Sequence, residues 1–332
     1  MSAYRQAGVD QEAADSLVPL FAKLAARTRR LEVEGDVGGF AGIFSLEGLK
    51  DRGYNRPGLV VSTDGVGTKV ELLQRAGRHH TAGWDAVAMN ADDVVCCGAE
   101  PIVFVDYVSV ERLDPEVVGE IVKGVADGCT EAGCALVGGE TSQHPGLLPP
   151  DGYDVVGTCV GVVDLDRVWG PHLVRTGDGI VGISSSGLHS NGFALVRRLL
   201  EESGAQAWDD LLEPTAIYAR KVLGLRAQGV EVHAAAHVTG GGIVGNLMRA
   251  LPDGAGAEIE GDRWPRAPVF ERVKGLGVTT GEMLRTFNCG LGMLIVTPDA
   301  PDVARALSEA GAPSWVVGRV TEFGPVEVKG SF

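Results

Sequence analysis

The sequence predicts a two-domain protein of α/β (α+β) class. Three observations carry this. The chain has 332 residues, and a domain typically takes ~150. Apolar, β-branched runs of strand length alternate with stretches of helical periodicity. A turn-rich stretch, RTGDGI at 175–180, leads into a second alternation of the same kind. The expected division is an N-terminal domain at 1–168 and a C-terminal α/β domain at 169–332.

The elements follow in order. Residues 10–27 carry Leu17, Leu20, Phe21 and Leu24 at helical spacing. GDVGGFAG, 35–42, is too rich in glycine for a helix interior. A strand is expected at 59–62, followed by the loop TDGVGTK at 63–69 and a helix at 81–97 that Gly98 and Pro101 terminate. Residues 102–108 read as a strand. Residues 114–132 form the clearest helix: Asp114 caps it, Pro115 suits its first turn and Gly133 its end, with Val118, Ile121, Val125 and Cys129 as its stripe. A short strand at 134–137 runs into GGETSQHPG, and 155–163 is another strand. The second half gives a strand at 180–184, the loop SSGLHSNG, a helix from 193 to about 202, a strand at 232–238, the loop TGGG and a helix at 243–251.

Composition excludes several classes. The formal net charge is -15, which opposes nucleic acid, because phosphate binding needs clustered Lys and Arg. The same charge opposes an anionic membrane surface. The six cysteines form no CxxC pair, so neither a zinc knuckle nor a disulfide framework is indicated. The start of the chain has no basic, then apolar, leader, and no apolar run reaches membrane-spanning length. A cytoplasmic location is expected.

The chemistry gathers in loops after strands. In TDGVGTK, Gly65 and Gly67 free backbone amides to face an anion, Lys69 adds a point charge and Asp64 can hold a cation. The glycine spacing is not that of a Walker A loop, and a plain Asp-Gly turn is the alternative. Asp92 and Asp93 lie in an otherwise apolar helix, where an unpaired carboxylate is costly. A Mg²⁺ ion shared by Asp93 and Asp64, with Glu140 of GGET as a further oxygen ligand, would relieve that cost. SSGLHSNG places Ser186, His189, Ser190 and Asn191 at a strand-to-helix turn suited to phosphate. His189 is the candidate for acid–base work. Gly240, Gly241, Gly242 and Gly245 match G-x-G-x-x-G after a strand, with Glu258 and Glu260 downstream. That pattern offers an NAD-dependent oxidoreductase as a rival, but it leaves the acidic loops of the first half unexplained.

YRQAGVD, TRRLEVEGDVGGF, STDGVGTKVEL, DDVVCCGAEP, GGETSQHPG, SSSGLHSNGFALVR, AHVTGGG and RTFNCGLGM occur in this order over about residues 4–321. In that arrangement the chain resembles the phosphoribosylformylglycinamidine cyclo-ligase family, also called aminoimidazole ribonucleotide synthetases. Some of these motifs also resemble thiamine monophosphate kinase and selenophosphate synthetase, the nearer alternatives. The resemblance implies a homodimer that uses ATP and Mg²⁺ to phosphorylate the formyl amide oxygen of formylglycinamidine ribonucleotide, after which an amidine nitrogen closes the imidazole ring. It implies ATP contacts at Gly38, Gly39, Phe40, Asp64, Gly65, Gly67, Thr68, Glu140 and Thr141. It further implies substrate contacts at Ser186, Ser190, Gly240, Gly241 and Gly242, with Lys69, His189 and Asn191 as the candidate catalytic groups. One departure stands out. Where the family usually has Ala-Glu after GGET, this chain has Ser142-Gln143.

Overall fold

Residues 6–35 and 41–330 are described by the computed structural model, so the expected ATP contacts Gly38, Gly39 and Phe40 lie outside the described residues. The chain forms two compact units, Met1–Val94 with Pro101–Asp164, and Val95–Glu100 with Leu165–Phe332. Both mix sheet and helix, as the sequence predicts.

The first unit opens with α1 (Gln11–Ala26) and a small ribbon of β1 (Val33–Glu34) and β2 (Ile43–Phe44). Then come β3 (Pro57–Gly65), α2 (Lys69–Arg75), α3 (His79–Cys96), β4 (Glu100–Val110), α4 (Pro115–Ala132), β5 (Ala135–Gln143) and β6 (Tyr153–Asp164). A four-stranded sheet runs β3-β6-β4-β5, with β3 and β5 at its edges. The helix read most firmly from sequence, α4, forms as expected. The Asp114 carboxylate accepts from Glu116 N and Val117 N, and Gly133 closes the helix at φ 86°. Its stripe of Val118, Ile121, Val125 and Cys129 is buried, and α1 packs against α4 and β5.

Two strands outrun their expected ends, for one reason. Asp64 and Gly65, expected in a loop, extend β3 because the long β6 offers Gly157 and Val156 as ladder partners. GGETSQ likewise extends β5, since β4 continues to Val110 and pairs with it in parallel. Across the β3–β6 pair Val61 faces Val160. Leu59, Val61 and Tyr107 are left 61%, 63% and 39% exposed.

The second unit contains β7 (Gly179–Ser184), α5 (Phe193–Ser203), α6 (Ala219–Ala227), β8 (Ala234–His237), α7 (Gly242–Ala250), β9 (Gly256–Glu260), α8 (Pro268–Gly275), α9 (Thr280–Thr286), β10 (Leu291–Thr297), α10 (Ala300–Glu309), β11 (Ser314–Thr321) and β12 (Val326–Lys329). Its sheet order is β12-β9-β11-β7-β10-β8. Both β7 and β8 run antiparallel to the fully buried β10 between them. They therefore run parallel to each other, and the loops SSGLHSNG and TGGG leave the same end of the sheet.

Candidate functional site

In the first unit Asp64 is exposed at the end of β3, and its Oδ1 accepts from Gly65 N at 2.8 Å. Asn90, fully buried in α3, fixes that strand end. Its Nδ2 donates to Asp64 O at 3.1 Å and Ala86 O at 2.8 Å, while Ser62 Oγ donates to its Oδ1 at 3.3 Å. Sequence reasoning missed Asn90. The signal was available: an amide inside an otherwise apolar helix must find partners.

Lys69 requires a correction. The expected point charge on the loop lies inside the unit instead, with Nζ 2.6 Å from Asp85 Oδ2 and both side chains 0% exposed. The loop is held down by this pair, and the Lys69 ammonium faces Asp85 rather than solvent. Gly67, at φ 68°, makes the turn that leads into α2.

The expected metal ligands Asp64 and Glu140 are spread across the sheet. Among the described residues no group of three or more His, Cys, Asp or Glu is arranged to hold a metal ion. The sheet order explains this for Asp64 and Glu140, which sit on opposite edge strands. Three strand spacings of ~4.8 Å put those strands about 14 Å apart. Asp93 is half-buried on α3, whereas its neighbour Asp92 is fully buried.

Glu140 and Thr141 border a different feature, a cavity of about 610 Å³ between α1 and β5. Val18, Phe21 and Leu136 give it apolar walls, and Asp106 opens into it. Asp106 is 8% exposed, and burial pushes its carboxyl up to about 7. A carboxylic acid so placed, in a concave pocket, marks a functional-site candidate. Asp106 was passed over in the sequence because it sits inside an apolar strand.

In the second unit His189 adopts φ 61° and is 1% exposed. Its Nε2 accepts from Ser186 N at 3.3 Å, and the ring lies 6.2 Å from that of Tyr218. The candidate acid–base group is thus buried, and its imidazole braces its own loop. Ser186 Oγ donates to Pro214 O at 2.6 Å, and Ser190 Oγ pairs with Thr215 Oγ1 at 3.2 Å. Asn191 differs. Its Nδ2 is shielded from solvent with no hydrogen-bond partner among the described residues, and a Cβ on Gly240 would lie 3.5 Å from its Oδ1. The two loops therefore adjoin. Asn246, also missed, holds the glycine loop by donating from Nδ2 to Gly242 O at 2.9 Å and to Gly240 O and Thr239 O at 3.3 Å. Gly242 has no substitute, for at φ 64° its Cβ would meet Leu284 O at 2.1 Å. The helices that follow, α5 and α7, begin at glycine caps with no side-chain capping bond.

Residues 50–163 match the family model "AIR synthase related protein, N-terminal domain", and residues 175–330 match its C-terminal counterpart. The phosphoribosylformylglycinamidine cyclo-ligase of Myxococcus xanthus is 47% identical, over 96% of this chain and 95% of that protein. The protein of the same name from Geobacillus kaustophilus is 42% identical, over 99% and 98%. The chain belongs to the phosphoribosylformylglycinamidine cyclo-ligase family. Solved structures sharing this fold include the hydrogenase maturation protein HypE in complex with ATP, with TM-score 0.70 and 21% identity over 96% of this chain and 89% of that one. Thiamine-monophosphate kinase from Stenotrophomonas maltophilia has TM-score 0.68 and 21% identity over 93% and 95%.

Within this cyclo-ligase chain the G-x-G-x-x-G run is not a dinucleotide fingerprint. That fingerprint needs a parallel βαβ unit, but β8 pairs only with the antiparallel β10, and β9 lies beyond β7 and β11. Glu258 is occupied by Arg319 and Lys329. The departure at Gln143 also acquires a structural role. Its Oε1 accepts from Asp10 N at 2.9 Å and its Nε2 donates to Asp10 O at 3.2 Å.

Proposed function

We propose that this cyclo-ligase converts formylglycinamidine ribonucleotide to 5-aminoimidazole ribonucleotide at the expense of ATP, a step of purine biosynthesis. The observation that carries the reading is the 47% identity, over nearly the full length of both chains, to a protein named for that activity. The formyl amide oxygen takes the γ-phosphoryl group of ATP, the amidine nitrogen attacks the formyl carbon, and phosphate leaves as the ring closes. An amide oxygen leaves poorly until phosphorylated, and once the substrate is oriented the attack is intramolecular, which removes most of its entropic barrier.

The two loops of the second unit suit the ribonucleotide phosphate. Two uncapped helix N-termini follow strands that end together, and such termini favour anions. In this reading Gly240–Gly242 let the backbone approach the phosphate, Ser186 and Ser190 shape the neighbouring loop, and the unspent Asn191 amide donates to the substrate. His189 holds the loop rather than moving a proton. The cavity beside Glu140 and Thr141 suits the nucleotide, because its apolar walls suit a base and the Asp106 carboxyl suits a hydrogen-bond donor. Gly65, Gly67 and Thr68 line the turn that faces the phosphates. Mg²⁺ commonly takes one or two carboxylates plus phosphate oxygens rather than a full protein cage. Asp64 and Asp93 fit that partial donor set, and the ion they would hold offsets charge on the transferred phosphoryl group.

The apolar strip of Leu59, Val61 and Tyr107 supports a homodimer in which a second copy covers the sheet. Among the described residues no helix is long and apolar enough to cross a membrane. All six cysteines are free thiols, consistent with a reducing cytoplasm. The deciding assay supplies formylglycinamidine ribonucleotide, ATP and Mg²⁺ and follows ADP and 5-aminoimidazole ribonucleotide. ATP turnover with thiamine monophosphate or selenide alone would move the chain to a sister activity.

A further inference from the structure

We infer that Gln143 is a positioning residue, a latch that clamps the N-terminal segment beside the cavity next to Glu140 so that the cavity is preformed for ATP. The inference rests on the reading of that cavity as the nucleotide site.

The latch is two-way. The Gln143 carboxamide accepts from Asp10 N at 2.9 Å and donates to Asp10 O at 3.2 Å, so one side chain satisfies both backbone groups of a residue 133 positions away. A neutral amide carries the donor and the acceptor that these two bonds need, which an ionised carboxylate does not. A glutamate, the usual family residue by resemblance, would keep the first bond. It would also turn a second carboxylate oxygen towards the Asp10 carbonyl, exchanging an attraction for a repulsion. The other contacts of the segment agree. Gly8, at φ 96°, lies so close to Pro145 that a Cβ would meet its Cγ at 2.7 Å. Asp10 then caps α1, with its side chain accepting from Ala13 N at 3.2 Å.

On the other side the strand is anchored. His144 N donates to Val110 O at 2.7 Å, and its Nδ1 pairs with Ser109 Oγ at 2.8 Å. The clamp thus joins a fixed strand end to the cap residue of the helix that walls the cavity. Val9, Gln11, Phe21, Gln143 and Asp106 all line that cavity, so displacing the segment would remove part of its wall. The departure from the family residue and the N-terminal contact then form one device: a neutral latch in place of a charged side chain.

The test uses the full chain and two kinds of readout. Gln143→Glu and Gln143→Met nearly preserve size, and Gly8→Ala pushes on the same segment through Pro145 without altering Gln143. Hydrogen exchange of the peptide spanning 8–16 should accelerate in all three. The KM for ATP should rise about five- to tenfold, as loss of one net hydrogen bond implies, with a far smaller change in the KM for the ribonucleotide. Exchange at the wild-type rate in these variants would overturn the latch. Accelerated exchange with an unaltered KM for ATP would overturn its positioning role. A parallel rise in both KM values, tracking a lost folded fraction by circular dichroism, would mark a merely structural residue and overturn the role equally. The site reading fails separately. If Asp106→Asn and Glu140→Gln leave the KM for ATP unchanged while exchange in the Gln143 variants is still faster, the latch stands and the cavity is not the nucleotide site.

Discussion

Replacing Lys69 with methionine would remove half of an ion pair whose two side chains are 0% exposed, with Nζ 2.6 Å from Asp85 Oδ2. The Asp85 carboxylate would lose its buried cation at a position with no exposure to solvent. Breaking a fully buried pair from one side costs about 3–5 kcal/mol. In a unit of this size each kcal/mol is worth roughly 2–4 °C in Tm, so the fall should be on the order of 6–20 °C. The companion double variant, Lys69→Met with Asp85→Leu, places apolar groups of similar bulk where the charges were. It should recover most of that loss, because a well-packed apolar replacement of a buried pair is often neutral or better. The assay is thermal unfolding by circular dichroism on both variants, with ATP turnover measured well below the transitions. If Lys69→Met melts within about 1 kcal/mol of the wild type and yet has lost turnover, Lys69 acts in the chemistry and the burial argument is wrong. If the double variant melts no higher than the single one, the uncompensated charge is not the source of the loss.

Three further outcomes are expected. Asp106 has its carboxyl raised from 3.8 to about 7 by burial, so the folded state resists an ionisation that the unfolded chain undergoes freely. Stability is lost as pH rises from about 4 to 7, on the order of 4 kcal/mol at 1.36 kcal/mol per unit; Asp106→Asn should raise Tm at pH 8 and make little difference at pH 4. His233 is buried, which lowers its pKa, but the hydrogen bonds to Asp178 and Glu231 outweigh burial and the net shift is upward. Its stabilisation is full below the unfolded value and fades as pH rises through the higher folded value, so Asp178→Asn should flatten the decline in urea midpoint above neutrality. Val61→Lys places a charge on the open apolar face, where Val61 is 63% exposed. Sedimentation should show dissociation to a monomer with an unchanged circular dichroism spectrum, and a wild-type sedimentation coefficient would remove this strip from the dimer interface.

What was legible in the sequence was what is local. Asp114, Pro115 and Gly133 announce α4 because cap, first turn and C-terminus each depend on a few adjacent residues. The far ends of β3 and β5 were not legible, since Asp64–Gly65 and Gly138–Gln143 are strand only by virtue of partners on β6 and β4. Residue type likewise gives chemistry without exposure. Lys69 and His189 belong to the right classes for charge and proton transfer, but Lys69 pairs with Asp85 on the next helix and His189 is folded back onto Ser186 N of its own loop, and neither burial is visible in residue type. Asn90, Asp106 and Asn246 show the opposite error. Each is a polar residue inside an apolar run, where the pattern reads as plain core, and each is a buried group with a definite place at a candidate site.

The grouping of Val95–Glu100 with the second unit bears on how this protein can be dissected. Trp169 N donates to Cys97 O at 3.1 Å, and a Cβ on Gly98 would lie 2.9 Å from the Trp169 ring, so these six residues are packed into the half that begins in sequence at Leu165. The polypeptide crosses between its units three times rather than once. A gene truncated at codon 164 would encode a fragment carrying a piece of the other half's interior, and the complementary fragment would lack that piece. Neither half is therefore expected to behave as a self-sufficient module, and the two must be inherited, exchanged and synthesised together.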